Sequence, residues 1–157
     1  MTPAKQFAVG ATAAAALSLA HAGLTWGPAA AVGFAAVAVA AAFVAERLVL
    51  SLGLLVHHTR PQLAGVPVWA LLGWVGAFYV SYRVALLAVS PALAPLAAAG
   101  LATAADVAAD PRGVADGLWS YPESRLSRPR YRGVPWWNFA GWLVLTATVS
   151  WATGALV

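Results

Sequence analysis

Acidic side chains are scarce in this sequence, five Asp and Glu in 157 residues, and three of them, Glu46, Asp106 and Asp110, lie inside or at the edge of long apolar runs. A carboxylate in a bilayer core costs about 2.5–3.5 kcal/mol on insertion scales, so its presence there needs a reason. Asp106 and Asp110 stand one helical turn apart and share a face. Two carboxyls held close in a low dielectric do not both ionise cheaply, so one is expected to keep its proton at neutral pH and serve as a general acid. Glu46 is a candidate second acid or water-activating base. The plainer alternatives are that Glu46 and Arg47 mark a helix end at the headgroups and that Asp110, preceding Pro111, is a solvated helix-end residue. Asn138, an amide one turn inside an apolar run, needs a hydrogen-bond partner and can hold a water. Trp74, Phe78 and Tyr82 recur every four residues as an aromatic stripe, as Asn138 and Trp142 do later, with ordinary packing as the alternative. Trp69, Trp119, Trp136 and Trp137 read either as an interfacial belt or as the mouth of an apolar pocket.

Adjacent histidines on a helix diverge by roughly 100°, and no helical His-x-x-x-His or acid-x-x-His pair exists. His57 and His58 are therefore expected at the interface or against water, not on a metal. With no cysteine there is no disulfide, thiolate nucleophile or sulfur-held metal.

The elements that must carry these residues are helices in a membrane. The chain is 62% hydrophobic and 9% charged, against about a quarter charged in soluble domains. Its mean hydropathy is +0.78. The apolar runs are long, unlike the alternating segments of about ten residues in a membrane β-barrel. Five stretches approach the roughly 20 apolar residues of a span: 7–24, 28–55, 67–89, 91–109 and 135–155, four of them opened by proline. The fold class is all-α: one polytopic membrane bundle of about five transmembrane helices over 1–157, with a loop at 110–134. The first stretch has a rival reading as a signal peptide ending at Ala20-His21-Ala22.

A formal net charge of +4 does not point to nucleic acid, because the basic residues gather between spans. Lys5, Arg60, Arg112, Arg125, Arg128, Arg130 and Arg132 all fall on one side of a five-span chain. That places the N-terminus in the cytoplasm and the C-terminus outside a multi-pass cell-membrane protein. Membrane lipid is the expected partner of the five-arginine segment 111–134, and Arg83, deep in the third span, is expected to snorkel.

An internal repeat is also legible. Gly65-Val66-Pro67-Val68-Trp69 with Gly73-Trp74 recurs as Gly133-Val134-Pro135-Trp136-Trp137 with Gly141-Trp142, 68 residues on. Each copy follows a run bearing an acid. Spans two and four run in one direction, as do three and five, so the copies would be parallel pseudo-repeats that gather Glu46, Asp106 and Asp110 at one depth.

At these residues the sequence resembles the carotenoid biosynthesis family that includes bisanhydrobacterioruberin hydratase of haloarchaea and the bacterial 1,2-hydratases of acyclic carotenoids. The likeness rests on Phe43-Val44-Ala45-Glu46, Leu55-Val56-His57-His58, Asp110-Pro111-Arg112-Gly113-Val114, Gly117-Leu118-Trp119-Ser120-Tyr121, and above all the run from Tyr131 to Trp142. The chain departs from that family in its shorter length and in having His57 and His58 where bacterial members tend to have tyrosine. The resemblance implies addition of water across a terminal C=C of an acyclic C40–C50 polyene, without a cofactor. Under it, Asp106 and Asp110 are the proton-donor pair, Glu46 a second acid or base, and Asn138 with Tyr131 position water. Trp137 and Trp142 stabilise the cation, and Trp74, Phe78 and Tyr82 line the substrate path. The competing readings are a carotenoid cyclase or isomerase, or a non-catalytic carotenoid-binding subunit. A homo-oligomer, or association with other carotenoid enzymes, fits either.

Overall fold

Alanine-rich apolar runs form long helices, and the computed structural model, which describes residues 1–157, contains five of them. They are α1 (Pro3–Trp26), α2 (Pro28–Ser51), α3 (Val68–Ala88), α4 (Ala94–Ala115) and α5 (Trp136–Gly154). Three, α1, α2 and α3, are long and apolar enough to cross a membrane. Two helices differ from the sequence expectation in ways that matter to the site. The second helix stops at Ser51 instead of 55, releasing His57 into a connection. The fourth starts at Ala94 and runs past Pro111 to Ala115 instead of ending at 109. Proline costs a helix one hydrogen bond and strains the preceding turn, yet the Asp116 N–H still closes this helix on the Arg112 carbonyl and the Gly117 N–H on that of Val114. Asp110 is therefore a buried helical residue and not a loop one.

Small side chains let the helices approach closely, the usual means of packing where lipid and side chain are equally apolar. At Gly76 of α3 an added Cβ would lie 2.8 Å from the Ala14 Cβ of α1, so only glycine fits. Phe34, Val75, Phe78, Tyr79 and Val149 fill the core between alanines of α1 and α2.

The two ends of the bundle differ. At one end His21 Nδ1 meets the Tyr79 hydroxyl, and the Trp26 ring packs edge-on against Tyr79 at 4.9 Å. Arg83, expected to snorkel, lies 5.7 Å from the Trp26 ring centroid. At the other end the connections fold into two-residue strands. β1 (Val56–His57) pairs antiparallel with β4 (Trp119–Ser120), tying the connection after α2 to the one after α4. β2 (Gln62–Leu63) with β3 (Val66–Pro67), and β5 (Arg130–Tyr131) with β6 (Val134–Pro135), are two hairpins of one design. Their turns carry φ of 48° and 87° at Ala64-Gly65 and of 49° and 91° at Arg132-Gly133. Positive φ at both central residues is what a two-residue turn matched to strand twist requires, with glycine easing the second position. Pro67 and Pro135 end these hairpins as helix N-caps, one residue before the first helical turn where the sequence reading put them.

Arg130 turns inward, donating to the carbonyls of Pro122 (2.7 Å), Tyr121 (2.9 Å), Ser127 (3.1 Å) and Gly133 (3.3 Å). It holds together the 3-10 turn Arg125–Ser127 and the second hairpin, so one of the five arginines is committed to protein.

Candidate active site

The hairpin end contains a cavity of about 540 Å³ between α3 and α4, closed on one side by the start of α1. Ala70, Gly73 and Ala77 of α3 and Ala102, Ala105 and Ala109 of α4 wall it. From Ala70 to Ser81, and again from Ala102 to Gly113, lining positions span about 16 Å of helix at 1.5 Å per residue. The result is a slot, left open because its facing walls are largely alanine and glycine.

All three carboxyls face this slot, and all are buried. Asn138, on the first turn of α5, donates from Nδ2 to Asp106 Oδ2 at 2.8 Å and to Asp110 Oδ2 at 3.1 Å. Asp110 Oδ2 also accepts from the Tyr121 hydroxyl at 2.7 Å. None of the ion pairs involves either aspartate, so only neutral donors hold the pair. Burial, with Asp110 beside it, pushes the Tyr121 phenol far above its ordinary range, and it remains a donor at any working pH.

Glu46 forms a second station. Its Oε1 accepts from Trp74 Nε1 at 2.9 Å, and its Oε2 lies 2.9 Å from His57 Nε2. Trp74 stacks on Trp142 with centroids 3.7 Å apart and an interplanar angle of 24°. Trp119 lies over Gly113, where an added Cβ would come within 2.1 Å of its ring. Phe7 of α1 packs edge-on against Trp119 at 5.6 Å.

Six of the sequence candidates meet at the slot: Glu46, Asp106, Asp110, Asn138, Trp74 and Trp142. Four do not line it. Phe78 is buried in the main core against Trp74, and Tyr82 packs with Ala85, Ala94 and Ala98 at the opposite end. Trp137 meets Tyr121 edge-on behind the site. Tyr131, expected to position water with Asn138, is half exposed on β5 and packs against Phe139. Strand alternation turns Arg130 inward and so turns its neighbour outward.

Sequence reasoning missed His57, Tyr121 and Gly113, while Trp119, read as a belt or pocket-mouth residue, lines the slot. His57, expected at the interface or against water, has a side chain only 5% exposed and bonds Glu46. A signal existed: Glu46 precedes His57 by eleven residues, as Asp110 precedes Tyr121, and Gly53-Leu54 recurs between them as Gly117-Leu118.

Fold and site together define the class, an all-helical protein with three helices long and apolar enough to cross a membrane and a cavity that sets carboxyls against aromatic rings. The family model for carotenoid biosynthesis proteins matches residues 6–157, and the chain belongs to that family. No curated protein and no solved structure matches it.

Proposed function

We propose that this chain is a membrane carotenoid hydratase, adding water across the terminal C=C of an acyclic C40–C50 polyene to give a tertiary alcohol. The observation that carries the reading is the alanine-walled slot, in a carotenoid biosynthesis protein, ending on a carboxyl pair held by neutral donors. An alkene is a poor proton acceptor, so its donor must be an acid kept uncharged in an apolar site, and Asp106 with Asp110 suits that task. Protonation at the less substituted carbon leaves a tertiary cation, which the stacked Trp74 and Trp142 rings stabilise. Water held at Asn138 or the Glu46 station then forms the C–O bond.

In this reading the bundle crosses the membrane five times as a parallel pseudo-repeat, with Pro67 and Pro135 beginning corresponding spans at the same face. The hairpin end faces the cytoplasm, and its exposed arginines Arg60, Arg125, Arg128 and Arg132 meet anionic headgroups. Expression in a strain that makes an acyclic carotenoid tests the function. The expected product is heavier by one water per modified end. Cyclised product of unchanged mass would replace the reading with a cyclase, and pigment retained without turnover would replace it with a binding subunit.

A further inference from the structure

The Glu46 and Asp110 stations are built alike. Each has a carboxyl in the closing turns of a helix, a glycine with positive φ just past the helix end (Gly53 at 67°, Gly117 at 69°), and a ring eleven residues after the carboxyl that hydrogen-bonds it. The Leu54 N–H bonds the Val49 carbonyl as the Leu118 N–H bonds that of Gly113. β1 and β4 pair antiparallel, Val56 opposite Ser120, so the two stations face each other. The offset between the copies is 64 residues here and 68 in the hairpins, because residues 58–60 in the first correspond to 122–128 in the second, which include the 3-10 turn.

What differs between the stations is the ring. Tyr121 is a fixed donor to Asp110. His57 is not confined to donating. In the tautomer that donates Nε2–H to Glu46, the His57 Nδ1 keeps a bare lone pair. That atom is buried and has no hydrogen-bond partner, in a ring that is 5% exposed and lines the slot. An unpaired buried acceptor beside a cavity is a place for a water.

We infer that His57 is the base of the hydration, taking a proton at Nδ1 from the water that attacks the cation, while Glu46 fixes its tautomer and holds the imidazolium. This rests on the hydratase reading. The proton balance closes. The aspartate pair gives one proton to the alkene carbon and is left one proton short. The water oxygen forms the C–O bond, and the resulting oxonium loses one proton to Nδ1. That proton returns from His57 to the aspartates through water before the next turnover, so hydration consumes none overall. Two copies of one carboxyl-and-ring device thus divide the labour, the phenol copy serving the acid and the imidazole copy the base.

The test separates proton donation from water capture. Membranes containing the protein are incubated in D₂O with the polyene that the wild type hydrates, and both the alcohol and the recovered polyene are analysed for deuterium. In His57→Gln the aspartates still form the cation, which collapses by losing a proton. Alcohol is expected to fall about 100-fold, the scale of a lost general base, while deuterium at the terminal alkene carbons of recovered polyene stays within about threefold of wild type. Asp106→Asn is expected to lose both. Alcohol within about threefold of wild type in His57→Gln overturns the inference. So does joint loss of alcohol and exchange in a variant that accumulates and retains polyene normally, which would place His57 with the donor. His57→Tyr is read the same way and covers failure of the Gln variant to accumulate, since the fold already holds tyrosine at the equivalent place. A wild type that hydrates no polyene overturns the hydratase reading itself, and this inference with it.

Discussion

Both ends of the bundle bury polar and aromatic side chains, but only the hairpin end sets carboxyls beside a slot. At the far end His21 is matched to Tyr79 and Arg83 to the Trp26 ring, each group answered by a neighbour. At the hairpin end two aspartates share one amide, His57 has an unanswered nitrogen, and a slot of about 540 Å³ opens beside them. Burying polarity costs free energy in either place. The far end recovers that cost at His21 and Arg83, though the buried Thr146 and Ser150 hydroxyls of α5 stay without a partner, whereas the hairpin end leaves groups beside a slot to be answered by whatever enters.

The largest effect that would break this contrast concerns the acid pair. Asp106→Asn should leave the protein inserted yet lower alcohol formation by about 10²–10⁴-fold, because an amide cannot donate the proton an alkene needs. Alcohol per inserted molecule, measured for Asp106→Asn and Asp110→Asn, decides it, and near-normal turnover in both removes the pair from the chemistry. Next is Trp142→Leu, which takes one ring from the stacked pair. Loss of a desolvated cation–π contact worth about 2 kcal/mol should slow turnover roughly 30-fold. Unchanged turnover would make the stack packing alone. Gly113→Ala then asks how fixed Trp119 is. The new methyl meets the ring, and a thermal unfolding midpoint should report about 1–3 kcal/mol of overpacking, with no change if the ring swings freely. Smallest is Tyr79→Phe at the far end, expected to cost about 1 kcal/mol of stability for one lost hydrogen bond. Activity per inserted molecule should hold, and its collapse would erase the distinction between the ends. The Tyr121 phenol, held up by burial and Asp110, should contribute no inflection to the pH–rate profile below its ordinary value of about 10.

Helices were legible because long apolar runs have one structural use in a chain this poor in charge, and Asp106, Asp110 and Asn138 because each is conspicuous where polarity is expensive. Their meeting follows from the one-turn spacing of the aspartates and the packing of α4 against α5. The second station stayed hidden. Reading α2 through to 55 put His57 two residues past a helix end, where it looked like an interfacial residue. Ending α2 at Ser51 gives the chain room to fold back and bring that ring to Glu46. Trp119 and Tyr121 sit in a connection whose shape depends on Arg130 gathering four carbonyls, a long-range event without periodicity. Tyr131 was misjudged for a related reason. The short strand β5 sends alternate residues to opposite sides, and nothing in the run of arginines tells which side faces inward.

That same Arg130 clasp bears on how the protein withstands digestion. The segment from Arg125 to Arg132 is the most arginine-dense in the chain and would be marked as the first place for trypsin to cut. Yet Arg60 and Arg128 each precede proline, a bond that enzyme leaves alone, and Arg130 cannot reach a protease pocket without releasing the carbonyls it binds. Only Arg125 and Arg132 remain as free sites in this connection, and the latter sits at the tip of a tight hairpin. A stretch that looks like an open linker is thus, to a protease, nearly as closed as the helices it joins.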